Sequence, residues 1–361
     1  MAQGKQSAKS DRQRIAGRAV RSSKFFEQEL TRYRDLTTRT LVKYIPSDGP
    51  LYLYDLVSVY PQRLGKGLRA ALCLATCNAL GGDETKALNS AVAVELFHNA
   101  FLIHDDVQDA SELRRGGPTL HREYGLGIGV NVGNATNLVA LHRLMANRRI
   151  LGAEATWRVM RETEAMLKQS LEGQAIELGW IRNNVCALET KDYLQMCLKK
   201  TAWYSFIYPL RVGALIAEGR ELAANRFCSF GWYLGAAFQI QDDILNLTGS
   251  YANYRKEIAG DLWEGKRTLM LIHLLRNCTP TQRLAIERFL AKPRCERQVA
   301  QVEWLYQLML LHGSIDFARR AARQLAGAAF MEGLTALASV PDSDAKRFIL
   351  EMILYVVRRD R

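Results

Sequence analysis

Proline is scarce in this sequence, with 8 residues in 361, and strict alternation of apolar and polar residues dominates nowhere. Half-buried strands show such alternation, so a β-rich fold is not indicated. Most segments instead place apolar residues three and four positions apart, with short Gly- or Pro-containing breaks between them. The pattern predicts an all-α protein in which residues 25–361 form a single large helical bundle, preceded by a basic and disordered arm, 1–24.

The sequence also lacks the features of secreted and membrane-spanning proteins. It has no apolar N-terminal stretch, and its seven scattered cysteines form no C-x-x-C pair, so we expect reduced thiols in a cytoplasmic protein. One uncharged run, 124–141, has the length of a short membrane span. It contains Asn131, Asn134 and Asn137, whose amides are costly to bury in lipid, so we predict a loop and a buried helix rather than a transmembrane span.

Several familiar catalytic motifs are missing. The sequence has no G-x-S-x-G elbow, no P-loop, no Rossmann glycine pattern and no zinc-ligand spacing. Chemistry that depends on a side-chain nucleophile or on a dinucleotide is therefore not indicated.

Positive charge is concentrated rather than spread over the chain. Residues 1–24 hold seven basic side chains and one acid, which is half of the net charge of +12. A nucleic-acid-binding protein would show a basic surface across its folded body, so no nucleic-acid partner is expected. Besides being disordered, the arm could contact an anionic membrane.

An apolar helix that ends in carboxylates is the first feature that indicates chemistry. Asp105 and Asp109 are four residues apart on one helix face, with Asp106 beside them, after the apolar segment 91–103. Crowded carboxylates repel one another unless a cation neutralises them, and their hard oxygens suit Mg²⁺ completed by substrate phosphates. Taken alone, the motif is more typical of a solvated helix end, but the apolar segment before it favours carboxylates that face a cavity.

A second apolar helix repeats this design. The segment 235–246 ends in Asp242 and Asp243, with Asn246 in the place of a third acid. Two such helices facing each other could hold a polyphosphate between metal ions. The pair is more specific than either motif, because surface acids need no apolar helix before them.

Groups of basic residues alternate with the acid motifs along the chain, as diphosphate binding requires. Arginine's planar fork and helix N-termini both suit phosphate oxygens. The groups are Lys66 with Arg69, Arg114 with Arg115, Lys199 with Lys200, and Lys256 with Lys266. Each alone is typical of a solvated surface, but solubility does not explain their alternation with the acids.

These motifs resemble those of the trans-isoprenyl diphosphate synthase (polyprenyl synthetase) family, from about Gly65 to Leu275. The resemblance rests on Gly65-Lys66-x-x-Arg69, Asp105-Asp106-x-x-Asp109 with Arg114-Arg115, Lys200-Thr201, Phe238-Gln239-x-x-Asp242-Asp243 and Glu264-Gly265-Lys266-x-Thr268. It implies the isoprenoid synthase bundle with a central active-site cavity, and a homodimer.

The resemblance also implies roles by position. Mg²⁺, with three ions expected, would be bound by Asp105, Asp106, Asp109 and Asp242. The allylic diphosphate would be held by Arg114, Lys200, Lys256 and Lys266, with support from Asp243. Isopentenyl diphosphate would be held by Lys66, Arg69, His98 and Arg115. Thr201 and Gln239 would lie near the developing allylic cation.

The implied reaction joins isopentenyl diphosphate to dimethylallyl, geranyl or farnesyl diphosphate. Metals and lysines would draw negative charge onto the leaving diphosphate. The double bond of isopentenyl diphosphate then attacks C1, and a proton is lost to the departing diphosphate.

Product length depends, by the same resemblance, on side chains before the first acid motif. Phe101 and Ala100 lie four and five residues before Asp105, and the small Ala100 should let the chain pass the level at which many C15 synthases stop it. Phe97, about one turn of 5.4 Å deeper, should then block it. This favours the C20 product, geranylgeranyl diphosphate, with C15 (farnesyl) and C25 as alternatives.

Two other functions compete. A class I terpene cyclase also uses an Asp-Asp-x-x-Asp motif, but it would leave Lys66, Arg69 and Arg115 without a role. A catalytically silent partner subunit would tend to lose its aspartates, and both acid motifs are present.

Overall fold

The computed structural model describes residues 24–63, 65–220, 224–249 and 259–358. The predictions for Lys256 and for the basic arm before Lys24 therefore lie outside the described residues.

Helices make up nearly all of the described chain, which confirms the prediction of an all-α fold. The α-helices are α1 (24–42), α2 (Tyr54–Val57), α3 (Val59–Gln62), α4 (Leu68–Ala79), α5 (Glu84–Gln108), α6 (Leu120–Tyr124), α7 (Leu126–Met145), α8 (Arg148–Arg182), α9 (Thr190–Cys197), α10 (Tyr208–Glu218), α11 (Cys228–Thr248), α12 (Gly260–Glu264), α13 (Leu269–Asn277), α14 (Pro280–Leu290), α15 (Val299–Leu311), α16 (Ser314–Ala336) and α17 (Asp344–Arg358). A π-helix spans Leu198–Ile207, and short 3₁₀ turns span Asn225–Phe227 and Arg294–Glu296. The two-residue strands β1 (Leu113–Arg114) and β2 (Gly117–Pro118) pair antiparallel, with Leu113 opposite Pro118.

Helix α5 runs through the middle of the bundle. It begins where the Asp83 side chain accepts a hydrogen bond from the Thr85 amide at 2.9 Å, a typical N-cap. From Ala87 to Ala100 its residues are buried or half-buried on all sides, which fits a helix enclosed by neighbours rather than one at a surface. Helices α4 and α7 pack along it. The buried helix carries the first acid motif to its C-terminal end.

The π-helix and α11 are the second pair of elements that are packed between other helices of the bundle. The π-helix packs between α8 and α11, and α11 also packs against α16. Two glycines allow this close approach. A Cβ at Gly173 of α8 would overlap the backbone of Lys200, and one at Gly235 of α11 would lie 2.5 Å from Ala202 Cα. Short π-helices are frequent at functional sites, and this one carries Lys200 and Thr201.

In the uncharged run 124–141, Tyr124 ends α6, Gly125 is the single connecting residue and α7 follows, so the predicted helix is confirmed but the predicted loop is one residue long. The inner residues Val132, Thr136 and Val139 of α7 are buried, whereas Leu126 and Leu138 are exposed on the other side. Among the described helices, none is long and apolar enough to cross a bilayer.

Candidate active site

The first acid motif contacts a lysine that lies far from it in sequence. Lys266 Nζ is 2.8 Å from Asp109 Oδ2, 2.7 Å from Glu264 Oε2 and 3.9 Å from Asp261 Oδ1. Burial by itself lowers the pKa of Lys266, but the charges of Asp109, Glu264 and Asp261 raise it well above its usual value. The backbone amide of Asp261 also donates to Asn246 Oδ1 of α11 at 3.0 Å, so the ends of α5 and α11 face one charged cluster.

Asp106 is the most deeply buried acid of the first motif, with 1% of its surface exposed. Arg114 Nε donates to Asp106 Oδ1 at 2.8 Å, and the Tyr60 hydroxyl donates to Oδ2 at 2.5 Å. Arg114 reaches this position from the tight β1–β2 turn, where Arg115 and Gly116 both have positive φ. Protein donors thus engage both oxygens of Asp106, and Arg114 is paired with it.

The surroundings shift the pKa values of Asp105 and Asp109 in opposite directions. Burial raises the pKa of the Asp105 carboxyl, and Lys200 only partly offsets this. Burial also opposes the charge on Asp109, but Lys266 and Lys200 outweigh it and lower its pKa. Asp109 is therefore an anion held by lysines, whereas a charged Asp105 calls for a further cation.

The second motif is joined to the π-helix by a chain of hydrogen bonds. Thr201 Oγ1 donates to Gln239 Oε1 at 2.6 Å, and Gln239 Nε2 donates to Asp243 Oδ1 at 2.7 Å. The Tyr193 hydroxyl donates to Asp243 Oδ2 at 2.6 Å. Burial raises the pKa of Asp243 to about 7, and the neighbouring charge of Asp242 adds to this. Four of the predicted residues thus lie together at the end of α11.

Three further acids belong to the cluster but were not predicted. Glu177 pairs with Lys200, and Asp261 and Glu264 flank Lys266. Burial raises the pKa of Asp261 well above its usual value, and Asp242 and Asp243 contribute to the increase. Glu177 follows Ser170 and Gly173 at helical spacing on the buried face of α8. An acidic residue on this otherwise uncharged helix face is the feature of the sequence that could have indicated a role for Glu177.

A second group of cations converges around Tyr204 of the π-helix. The Arg69 guanidinium lies 4.4 Å from the centre of the Tyr204 ring, and Arg69 Nη2 donates to Ser205 Oγ at 2.8 Å. The His98 ring stacks on Tyr204 at 5.9 Å. Lys66 Nζ lies 5.6 Å from the ring of Tyr355 on α17. Tyr204 and Ser205 carry no motif and were not predicted.

Arg115 completes this group from the β1–β2 turn. Its guanidinium lies against Gly65, where a Cβ would be 2.6 Å from Nη2, and it donates to Asn99 Oδ1 at 3.2 Å. Burial lowers the pKa of Arg115 to about 10; the charge of the buried Glu95 opposes this shift, whereas repulsion from Arg114 and Arg69 adds to it. Partly desolvated cations close together are costly unless anions join them, and Glu95 balances only part of this charge, so the group is suited to an anionic ligand.

Tyr60 connects the acid cluster with the second cation group. Its hydroxyl bonds Asp106, and its carbonyl accepts a hydrogen bond from Arg115 Nη1 at 2.7 Å. The two sites are therefore neighbours on one side of the bundle.

The predicted chain-length residues lie on α5, N-terminal to the first acid motif. Phe101 is half-buried and meets the Tyr204 ring edge-on at 5.3 Å. Ala100 is fully buried and Phe97 is 1% exposed in the main core.

The donor set fits hard divalent cations, because carboxylate oxygens predominate. Even so, in the part of the chain that the structure describes, no three acidic, His or Cys side chains gather into a ready-made metal site. Lys266 and Arg114 neutralise Asp109 and Asp106 instead.

The family model for polyprenyl synthetases matches residues 51–309, which include both acid motifs and every predicted basic group. The chain belongs to the polyprenyl synthetase family. This polyprenyl synthetase is similar to a geranylfarnesyl diphosphate synthase of Natronomonas pharaonis, with 27% identity over 94% of this chain and 99% of the relative. It is also similar to a geranylgeranyl diphosphate synthase of Sulfolobus acidocaldarius, with 30% identity over 71% and 76%.

A solved structure supports the same conclusion. The polyprenyl synthase of Caulobacter crescentus CB15, complexed with calcium and isoprenyl diphosphate, superposes with a TM-score of 0.82 at 26% identity. The alignment covers 93% of this chain and 98% of that one. The present polyprenyl synthetase is therefore a prenyltransferase with the isoprenoid synthase fold, as the motifs predicted.

Proposed function

We propose that this prenyltransferase condenses isopentenyl diphosphate with an allylic diphosphate. The observation that carries the proposal is the pairing of two adjacent charged sites. One combines both acid motifs with Lys200 and Lys266, and the other combines Arg69 and Arg115 around Tyr204. Two diphosphates must lie side by side for the double bond of one to reach C1 of the other.

The acid cluster is the proposed allylic diphosphate site. Asp105, Asp109 and Asp242 would bind Mg²⁺, with three ions expected, and the metal would stabilise the leaving diphosphate as a Lewis acid. Support comes from the carboxylate donors and from the Caulobacter relative solved with calcium and isoprenyl diphosphate. Lys200 and Lys266, now paired with Glu177 and Asp109, would also contact the phosphate oxygens.

Metal binding by Asp106, support from Asp243 and diphosphate binding by Arg114 stay predictions. The contacts of Asp106 favour a role in which it holds Arg114 and the β1–β2 turn in place. The contacts of Asp243 favour a role in which it orients Gln239.

The cations around Tyr204 form the proposed isopentenyl diphosphate site. Arg69 is buried and Arg115 is half-buried, and both would bind its phosphates, with His98 and Lys66 at the edge. A class I terpene cyclase would have no use for this second anion site.

Thr201 and Gln239 would stabilise the allylic cation by their dipoles. The Thr201 hydroxyl and the Gln239 amide form one oriented chain that ends on Asp243, so neither needs to reorganise during the reaction.

Geranylgeranyl diphosphate (C20) is the proposed product, with C15 and C25 products as the alternatives. Support comes from the small Ala100 and the deeper, buried Phe97 on α5. The similar geranylfarnesyl and geranylgeranyl diphosphate synthases differ in product length, so product sizing must decide. Phe97→Ala should lengthen the product, whereas Phe348→Ala, which empties a core position on α17, should lower stability only. Unchanged product length in the Phe97 variant would exclude Phe97 as the floor of the cavity.

A homodimer in the cytoplasm is also proposed. Leu141 of α7 and Met160, Leu167 and Leu171 of α8 line a groove of about 530 Å³. Leu171 is 62% exposed, and Trp157 is a further exposed apolar residue of α8, at 65%. An apolar surface of this kind is suited to contact with a second copy. The cysteines that the structure describes are free thiols, which agrees with a reducing compartment.

The direct test is incubation of the purified protein with labelled isopentenyl diphosphate and C5, C10 or C15 starters, followed by product sizing. We expect Mg²⁺-dependent elongation that ends at C20. Cyclised hydrocarbons without incorporation of the label, or no Mg²⁺-dependent product from any starter, would reject the proposal.

A further inference from the structure

The segment 259–268, called here the 259–268 turn, contains the short helix α12 and carries Lys266. Its backbone is unusual because two of its residues have left-handed conformations, Ala259 with φ 58° and Gly265 with φ 72°. Within the turn, the Lys266 amide donates to the Asp261 carbonyl at 2.9 Å. Ala259 is a residue type that rarely adopts positive φ, so its conformation must be fixed by the surroundings.

Arg297 lies beneath this turn and binds its carbonyls. It is 8% exposed and donates to the carbonyls of Leu262 at 3.2 Å and Trp263 at 2.5 Å. It also donates to Leu290 of α14 at 3.1 Å. A Cβ at Gly265 would lie 2.7 Å from Arg297 Nη2, so glycine allows the guanidinium to fit against the turn.

Arg267 holds the same turn from its other end. It is 1% exposed and donates to the Gly265 carbonyl, to the Val185 carbonyl at 3.0 Å and to Asn184 Oδ1 at 2.7 Å. Asn184 in turn donates to the Glu287 carbonyl at 3.0 Å. The segment after α8 and the turn are thereby fastened to α14.

The acceptors of both arginines in these bonds are uncharged. Burial lowers the pKa of each guanidinium, that of Arg297 to about 10. A buried charge bound to neutral acceptors is an expensive way to stabilise a fold, since an apolar residue of similar volume would avoid the desolvation. The specific effect of the two arginines here is to tie three carbonyls of the turn, those of Leu262, Trp263 and Gly265, to three acceptors outside it, on Asn184, Val185 and Leu290.

We propose that Arg267 and Arg297 are positioning residues that hold the 259–268 turn so that Lys266 reaches the diphosphate site beside Asp109. The inference rests on the proposed function, because it assigns Lys266 to diphosphate binding. Neither arginine touches the substrate; both act through the backbone that carries Lys266.

The test is a double-mutant cycle between Arg297 and Lys266. Four proteins are compared: the wild type, Arg297→Met, Lys266→Met and the double variant. Two quantities are measured on each folded protein, kcat for prenyl transfer and the affinity for inorganic pyrophosphate with Mg²⁺ by calorimetry. Arg267→Met is examined in the same way, and thermal melting of every variant reports the folded fraction.

Arg143→Met is the matched control. Arg143 is also a buried arginine with uncharged partners, since it donates to Asn89 Oδ1 at 2.6 Å and lies 3.4 Å from the centre of the Tyr44 ring. It lies on α7 and contacts neither the turn nor the diphosphate site, so its loss affects stability alone.

We expect Lys266→Met and Arg297→Met each to lower kcat and pyrophosphate affinity by about 10- to 100-fold, and the double variant to be no worse than Lys266→Met. Arg297→Lys should restore part of the loss. Multiplicative effects in the double variant, or an Arg297→Met protein that melts earlier but keeps its kcat and pyrophosphate affinity, would overturn the inference. If the wild type transfers no prenyl group, the proposed function fails, but the pyrophosphate cycle still tests the positioning role.

Discussion

At the scale of single residues, structure separates side chains that sequence leaves equivalent. Lys199 and Lys200 are adjacent and equally basic. Lys200 is 17% exposed and pairs with the buried Glu177, whereas Lys199 bonds Gln169 and the half-exposed Glu172 on the outer side of α8. The geometry of the π-helix directs Lys200, and not Lys199, towards the acid cluster.

Lys200→Met should therefore lower kcat by about 100-fold, because it removes a cation that stabilises the leaving diphosphate. Lys199→Met is the control, and its kcat should stay within about twofold of the wild-type value, as is usual for a surface pair. Steady-state kinetics with a C15 starter give both numbers. Equal losses in the two variants would show that the face of the π-helix is assigned wrongly.

The aspartates and the basic motifs could be predicted from the sequence because their spacing is local. Tyr60, Tyr204 and Glu177 could not, because their roles depend on contacts over 46 residues for Tyr60 and Asp106, and over 23 for Lys200 and Glu177. The pairing of Asp106 with Arg114 was missed for a different reason. Eight residues separate them, but only the reversal of the chain at the β1–β2 turn brings them together.

At the scale of elements, α5 and α11 follow from their apolar residues and terminal acids, whereas the π-helix does not. Apolar spacing of three and four residues is common to α- and π-helices, so a change of period within ten residues is not visible in it. Gly173 and Gly235 face the π-helix from both sides, and their small size is the only feature of the sequence that reflects this packing within the described residues.

Gly173→Ala tests the packing of the π-helix. The added methyl would overlap the Lys200 backbone, so we expect a loss of about 1–3 kcal/mol in unfolding free energy and a fall in kcat as Lys200 is displaced. Gly179→Ala on the same helix has open space around its Cβ and should be neutral or stabilising. Chemical denaturation and kinetics of both variants measure the difference. A stable, fully active Gly173→Ala protein would contradict the packing.

At the scale of the whole molecule, the charged sites and the exposed apolar surface lie on different elements. The sites are built from the ends of α5 and α11, the π-helix and the β1–β2 turn, whereas Trp157 and Leu171 are exposed on the outer face of α8. Association of two chains through α7 and α8 would leave the charged side chains available to substrates.

Trp157→Glu should shift the protein from dimer to monomer, because a carboxylate would be buried within the proposed interface. Leu311→Glu is the control, since Leu311 is 76% exposed on α15, away from α7 and α8. Sedimentation velocity distinguishes the two states. A wild-type monomer, or a Trp157→Glu dimer as tight as the wild type, would exclude this surface.

The central claim is that the two acid motifs together bind one diphosphate through divalent metal ions. Its most direct test is a crystal structure with Mn²⁺ and a non-ionising analogue of an allylic diphosphate, in which anomalous scattering locates the metal. The account predicts anomalous peaks between the carboxylates of Asp105 and Asp109 on one side and Asp242 on the other, with the analogue's phosphates touching Lys200 and Lys266. Metal and phosphates bound elsewhere, with Lys266 still paired to Asp109, would contradict it.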